Sequence, residues 1–333
     1  MQNEETWINS TSGNTLPFHC DRCAGAGRRA GVASTGLDNI AMHASPASRR
    51  IGFLCLGVTS LGWGLNWPAM KVLLRELPPL FARGAAGLAA GLLFAAAALA
   101  IGQTLKVPRP LFGRLAASAF LNVFAWMGFA TLAMRWLDVG PCALLVYTMP
   151  LWATLMAWPA NGERPAPRAL TGLALCLAGL WALFGASGLH LDHEQTVGAV
   201  LALASALLFA LGTVTLRPLT GVTPLALLAW QLTLGCLPML AIGMLFEHPA
   251  PQRVTPTGWA LMLYMALVPM GLCYLSWFAA LRRLPSTTAS LATLLTPVIG
   301  VLAAALSLGE PFGVRQGAAL ALTIGGVGLA LRR

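Results

Sequence analysis

From Ile51 onward the chain is a succession of apolar runs of roughly twenty residues, divided by short breaks that collect prolines, glycines and charges. A helix needs about 20 predominantly apolar residues to cross a bilayer, and inside it every backbone polar group must be satisfied within the segment. The runs predict spanning helices near 51–73, 79–103, 113–134, 139–158, 168–187, 196–216, 224–246, 257–280, 286–308 and 314–331. Between them lie Lys106-Val107-Pro108-Arg109-Pro110, Asn161-Gly162-Glu163-Arg164-Pro165, His190 to Glu194 and Glu247 to Pro251. The expected fold class is an all-α integral membrane protein of ten transmembrane helices.

Composition agrees. Only 10% of residues are charged and 57% are hydrophobic, against about 25% charged in a soluble domain. The net charge of +10 would suit nucleic acid only as a basic stripe on a solvated fold. Here the cations are single residues between apolar runs, so the bilayer, and no nucleic acid, is the expected partner. The seven cysteines have no framework spacing. Cys55, Cys142, Cys176, Cys236 and Cys273 sit in apolar surroundings, where a thiol behaves as a small hydrophobe.

Residues 1–50 differ from the rest: they are polar, mixed and without helical period. His19-Cys20-Asp21-Arg22-Cys23 offers three metal ligands where a structural zinc site needs four. Gly25-Ala26-Gly27-Arg28-Arg29-Ala30 fits a dinucleotide-binding loop loosely, but no strand precedes it and no clean helix follows. No metal and no cofactor is expected, and the segment reads as a disordered tail. Met42, just ahead of Arg49-Arg50 and the first apolar run, would serve as a start.

Orientation follows from Lys and Arg. With a cytoplasmic N-terminus, the inner segments hold twelve: Arg49, Arg50, Lys106, Arg109, Arg114, Arg164, Arg168, Arg217, Arg282, Arg283, Arg332 and Arg333. The outer segments hold five: Lys71, Arg75, Arg135, Arg253 and Arg315. Both termini are therefore expected in the cytoplasm, with the His190–Glu194 loop outside.

A shift of 147 residues superposes the two halves. Ala133, Arg135 and Leu137 fall on Ala280, Arg282 and Leu284; Leu144, Pro150, Leu155 and Ala157 fall on Leu291, Pro297, Leu302 and Ala304. Gly162-Glu163 falls on Gly309-Glu310, and Arg168 on Arg315. Nearer the N-terminus the shift changes by one or two: Lys71 matches Arg217, and Pro79-Leu80 matches Pro224-Leu225. Five spans per half is an odd number, so the second half enters the membrane inverted. Inverted repeats characterise secondary transporters, whose substrate site lies near the midplane between the repeats.

Trp63-Gly64-Leu65-Asn66-Trp67-Pro68-Ala69-Met70-Lys71 and Leu77-Pro78-Pro79-Leu80 resemble the opening of a repeat in the drug/metabolite transporter superfamily, of the EamA type. Pro150 and Pro297, each followed by Gly-Glu and then Arg, extend the likeness across residues 51–331, as repeats at 51–187 and 195–331. The resemblance implies a ten-helix permease of the cytoplasmic (inner) membrane, often an exporter of amino acids or other small metabolites. The rival readings are a membrane-embedded enzyme and a receptor or scaffold. The sequence shows no HExxH, no paired intramembrane Asp and no GxSxG near a helix start, and no soluble domain that would pass on a signal.

Within the spans, Pro150 and Pro297 should each remove a helix hydrogen bond, free the carbonyls of Val146 and Thr293, and act as hinges. Polar groups inside a span face a cavity or a partner, which nominates substrate contacts in both halves. Asn66 and Trp67 share a face with Trp63 and Met70; Asn122 and Trp126 share another; Tyr147 and Thr148 precede Pro150. The second half offers Tyr274 with Trp277, Thr293 with Thr296, and Trp230-Gln231. The site is expected between the fourth and ninth helices, closed by the first, third, sixth and eighth. Arg83, about a turn into the second span, either pairs with a substrate carboxylate or snorkels to the interface. Glu163 and Glu310 are read as fixing helix ends. No Asp, Glu or His lies well inside a span, so proton coupling through a buried carboxylate is not supported. Gly87-Leu88-Ala89-Ala90-Gly91 is a GxxxG match, which more often marks packing within one chain; a homodimer is left open. A chain beginning at Met42 is expected to insert and transport like the full one, since 1–41 can bury little surface. Loss of stable membrane insertion on that truncation contradicts this reading.

Overall fold

The computed structural model describes residues 46–162, 164–184, 192–216, 219–284, 288 and 292–331. The N-terminal motifs, Met42, Glu163, His190, Arg217, Arg332 and Arg333 lie outside the described residues. All regular structure among the described residues is helical: α1 Pro46–Leu73, α2 Pro79–Ala100, α3 Arg109–Ala133, α4 Val139–Ala160, α5 Pro167–Phe184, α6 His193–Thr215, α7 Pro224–Phe246, α8 Pro256–Leu281, α9 Leu295–Leu308 and α10 Val314–Leu331. Six of these (α2, α3, α4, α6, α7 and α8) are long and apolar enough to cross a membrane, and α9 and Val314–Leu329 are shorter apolar helices. Pro46–Arg50, polar by composition, form the first turns of α1.

Local chemistry sets the ends. Prolines open α2, α7 and α8, where a missing N–H costs nothing and the fixed φ suits a helix start. Asp192, Thr223 and Thr255 cap α6, α7 and α8 by accepting from Gln195 N, Ala226 N and Gly258 N. Gly162 and Gly309 end α4 and α9 in the left-handed region, with φ of 76° and 70°. They are the pair that the internal repeat superposes.

The packing repeats as well. α2 lies along α7 and α5 along α10; α1 crosses α8 and α9, while α6 crosses α3 and α4. Exchanging each helix for the one five places on leaves this set of pairs unchanged. Close backbone approach carries the two self-paired contacts. A Cβ at Gly179 of α5 would meet Ala319 O, and one at Gly326 of α10 would meet Gly172 O. Between them Cys176 Sγ donates to Thr323 O at 3.2 Å, and those two residues are themselves 147 apart. On α2, Gly84, Gly87 and Gly91 face Leu240, Cys236 and Thr233 of α7. The GxxxG face is thus used inside the chain, where small residues let helix backbones approach. Outside, Leu54, Leu99, Ile101, Leu245, Phe246 and Leu306 stay exposed, an apolar surface suited to lipid.

These contacts make glycine substitutions separable. Gly84→Leu has no room against Leu240 backbone and should lower stability by about 1–3 kcal/mol or more. Gly57→Ala meets nothing within 4 Å and should leave the thermal midpoint in detergent unchanged or slightly raised. Equal midpoints for both variants would contradict the α2–α7 contact.

Candidate functional site

Among the described residues three helices leave the regular α geometry, and two of them do so at matching places. α3 carries a π segment at Phe120–Gly128 and α8 one at Val268–Leu272; shifted by 147, the second falls inside the first. Single π turns recur at functional sites because they rotate side chains and loosen a carbonyl. In α8 the cause is local, since Pro269 has no N–H to donate. Crossing helices capture carbonyls there. Thr59 Oγ1 of α1 donates to Cys273 O at 3.3 Å, and Ser205 Oγ of α6 donates to Trp126 O at 2.9 Å. Residues 126 and 273 are repeat-related, and so are 59 and 205 with a shift of 146. Trp63 Nε1 adds a bond to Pro269 O at 2.9 Å. The third irregular helix, α4, breaks at Tyr147-Thr148, just ahead of Pro150.

A cavity lies where these segments face one another. Trp63, Asn66 and Trp67 of α1 line it, with Arg83 of α2, Trp126, Met127 and Ala130 of α3, and Met134 just beyond. Tyr147 of α4 and Pro269, Met270 and Tyr274 of α8 complete the wall. Trp63 and Asn66 precede Leu73 by ten and seven residues, which places them about 15 and 10 Å down the axis from the end of α1. Only about 40 Å³ of this space can take the centre of a water. That is room for roughly three waters.

Inside this apolar wall, polar groups stand without partners. Asn66 Oδ1 and Trp126 Nε1 are buried and make no hydrogen bond. Arg83 is only 7% exposed. Its Nε donates to Thr131 Oγ1 at 3.1 Å, and no carboxylate pairs with it among the described residues. The snorkelling alternative is therefore overturned: four residues into α2, the side chain turns into the bundle. An uncompensated buried cation is costly, and a carboxylate in the cavity would relieve it.

The other nominated residues divide. Tyr147 packs on Trp67 with ring centroids 6.2 Å apart, and Tyr274 packs edge-on against Trp63 at 5.5 Å. Trp277 lies against the far side of this group, 5.9 Å from Trp63. Thr296, on α9, is fully buried with its hydroxyl beside the Tyr147 side chain. Asn122 bonds Ser118 Oγ at 3.3 Å and faces Gly212 of α6, away from the cavity wall. Thr148 is engaged within α4, donating to Leu145 O at 2.6 Å and accepting from Trp152 Nε1. Trp230 and Gln231 bond Leu105 O and Ser118 Oγ. Pro297 is buried and Pro150 half-buried. The carbonyl expected to be free at Thr293 accepts from Thr296 N at 3.0 Å, because the helix tightens by one residue there. The cavity also uses Met127, Ala130, Met134 and Met270, apolar residues with nothing in the sequence to mark them.

At the end of the bundle nearest Arg83, three glutamates cap helices other than their own. Glu247 accepts from Leu80 N and Phe81 N of α2, Glu310 from Val139 N and Gly140 N of α4, and Glu76 from Thr255 N at the start of α8. Glu310 thus fixes a helix end, that of α4. Burial raises its pKa, against which the two N–H partners and the nearby Lys71 act. Lys71 Nζ donates to Met134 O at 2.8 Å and Leu137 O at 2.7 Å, closing the end of α3.

Comparison with known proteins agrees with this architecture. The profile of the EamA-like transporter family matches residues 50–185 and again 196–332. The "Uncharacterized transporter YvbV" of Bacillus subtilis is 30% identical over 81% of this chain and 88% of its own. The "Probable amino-acid metabolite efflux pump" of Salmonella typhimurium is 30% identical over 84% of this chain and 94% of its own. The crystal structure of a protein 22% identical superposes with a TM-score of 0.60 over 85% of this chain and 96% of the other, which speaks to the fold alone. These names are those of transporters rather than enzymes. With its apolar helices and twofold profile match, this multi-pass membrane protein belongs to the EamA-like transporter family.

Proposed function

We propose that this protein carries a small amphipathic metabolite bearing a carboxylate, amino acids foremost, out of the cell across the inner membrane by alternating access. One observation carries the reading: Arg83 is buried in a mostly apolar cavity with no carboxylate partner among the described residues, beside the unpartnered Asn66 Oδ1 and Trp126 Nε1. A zwitterion supplies what this set lacks, with its carboxylate on Arg83, its ammonium toward Asn66 Oδ1 and its apolar part among the aromatic rings. The efflux activity in the name of the Salmonella relative supports the solute class and the direction.

The two matched stretches support repeats at 51–187 and 195–331, and five spans in each support ten spans with the halves inverted. The positive-inside count puts both termini in the cytoplasm and the Glu76–Glu247–Glu310 end outside. Pro150 and Pro297, beside matching breaks, serve as hinges. Asn66, Trp67, Trp126, Tyr147 and Tyr274 contact the solute, with Trp277, Thr293 and Thr296 behind them, while Asn122 and Thr148 serve helix packing instead. Room for a few waters means the wall must yield to admit a solute. Met127, Met134 and Met270 are unbranched and repack readily.

Uptake into proteoliposomes tests this, using amino acids that a toxicity screen first identifies. A hydrogen bond to a charged group contributes about 1.5–3 kcal/mol, so Arg83→Gln should weaken affinity roughly 10- to 150-fold. Asn66→Ala and Tyr147→Phe should cost about 0.5–1.5 kcal/mol each, or roughly two- to tenfold. Pro150→Ala should change turnover more than affinity. Unchanged kinetics for Arg83→Gln at equal reconstitution removes this site. Reporter fusions near Asp192 and after Arg333 test orientation; a cytoplasmic signal at the first with an external one at the second reverses it.

A further inference from the structure

The geometry points to Met134 as the gate between the central cavity and a charged vestibule, with Lys71 as the positioning residue that holds it shut. The inference rests on the carrier reading above. Met134 borders both spaces. On one side is the cavity of Arg83, Asn66 and Tyr147; on the other is a vestibule walled by Lys71, Arg75, Glu76, Arg135 and Glu247. The two differ sharply in room. The vestibule can take the centres of waters over about 620 Å³, against about 40 Å³ in the cavity. Solute-sized space thus ends at Met134, whose side chain is 2% exposed and fills the neck.

What fixes that side chain is its backbone. Met134 stands just beyond the last residue of α3, where carbonyls lose their helical partners. Lys71, from the last turn of α1, donates to Met134 O and Leu137 O together. It makes no ion pair among the described residues, so these two bonds are what its ammonium holds. Moving the ammonium unclamps the 134–137 turn and with it the gate. Arg83 lines the space below Met134 and Lys71 the space above, so a carboxylate crossing the neck passes from one cation to the next. Taking that carboxylate draws Lys71 off the turn.

The test uses full-length protein in membrane vesicles. Ala130 lines the cavity one turn below Met134, so Ala130→Cys reports passage of a charged, impermeant methanethiosulfonate added on the vestibule side. Rates are taken relative to Arg75→Cys in the vestibule, with the unsubstituted protein giving the background of the other cysteines. The thiol introduced by Ala130→Cys should react slowly, at least tenfold faster with Met134→Ala, and at the starting rate with Met134→Leu, which keeps the neck filled. Lys71→Gln should accelerate labelling as Met134→Ala does, and Lys71→Arg, which can still donate to both carbonyls, should restore the slow rate. Variants are compared at equal thermal midpoints, which sets aside general loosening. Labelling at the Arg75→Cys rate with Met134 intact, or no change in Met134→Ala, overturns the gate. Acceleration in Met134→Ala without any in Lys71→Gln overturns the role of Lys71. Labelling needs no solute, so a gate in a protein that carries nothing shows as accelerated labelling without flux.

Discussion

A backbone N–H or C=O left open inside a bilayer costs several kcal/mol, with no water to satisfy it. Most polar side chains in this bundle answer that constraint. Thr59 and Ser205 reach the carbonyls at the two π segments. Glu76, Glu247 and Glu310 satisfy the first N–H groups of neighbouring helices, and Lys71 closes the end of α3. A site can be recognised by contrast. Gln103, Asn122 and Thr323 also hold buried polar atoms without partners, but among the described residues only one cavity brings two such atoms, Asn66 Oδ1 and Trp126 Nε1, together with a buried cation, Arg83.

Scaffold and chemistry obey different symmetries. The helix pairings, the π segments, the glycines at 179 and 326 and the caps at Gly162 and Gly309 all come in repeat-related pairs. The polar wall of the cavity does not. Asn66, Trp67, Arg83, Trp126 and Tyr147 come from the first half, while the second supplies Pro269, Met270 and Tyr274. Gly212 stands at the place equivalent to Asn66 and Leu294 at that of Tyr147. A symmetric frame has two equivalent arrangements, as the alternating access proposed above requires, while a one-sided wall offers a solute a single polar arrangement.

Helix ends were legible in the sequence because Pro at starts, Gly at ends and the length of an apolar run are local signals. Helical periodicity placed Asn66 and Trp67 on one face, and both reach the cavity. It placed Asn122 and Trp126 on one face too, yet only Trp126 does, because the intervening π segment rotates the helix by part of a turn. No residue type in α3 announces that segment, whereas Pro269 gives a cause for the one in α8. Arg83 was ambiguous for another reason. A cation one turn from a helix start can turn outward or inward, and the choice is made by Thr131 on α3 and by the glycines that draw α2 against α7, contacts distant in sequence. Thr148 shows the opposite failure: a polar residue in the right place whose hydroxyl is taken by its own helix.

The central claim is that Arg83 waits for a carboxylate, and direct binding tests it without transport. Trp63, Trp67 and Trp126 line the cavity, so intrinsic fluorescence of the purified protein should report a solute entering it. Each amino acid that the protein is found to move would be titrated beside its primary amide, which keeps the shape and the ammonium but removes the negative charge. Binding should be at least tenfold weaker for the amide, a difference that shrinks to less than about twofold in Arg83→Gln. Equal affinity of acid and amide in the unsubstituted protein would contradict that claim.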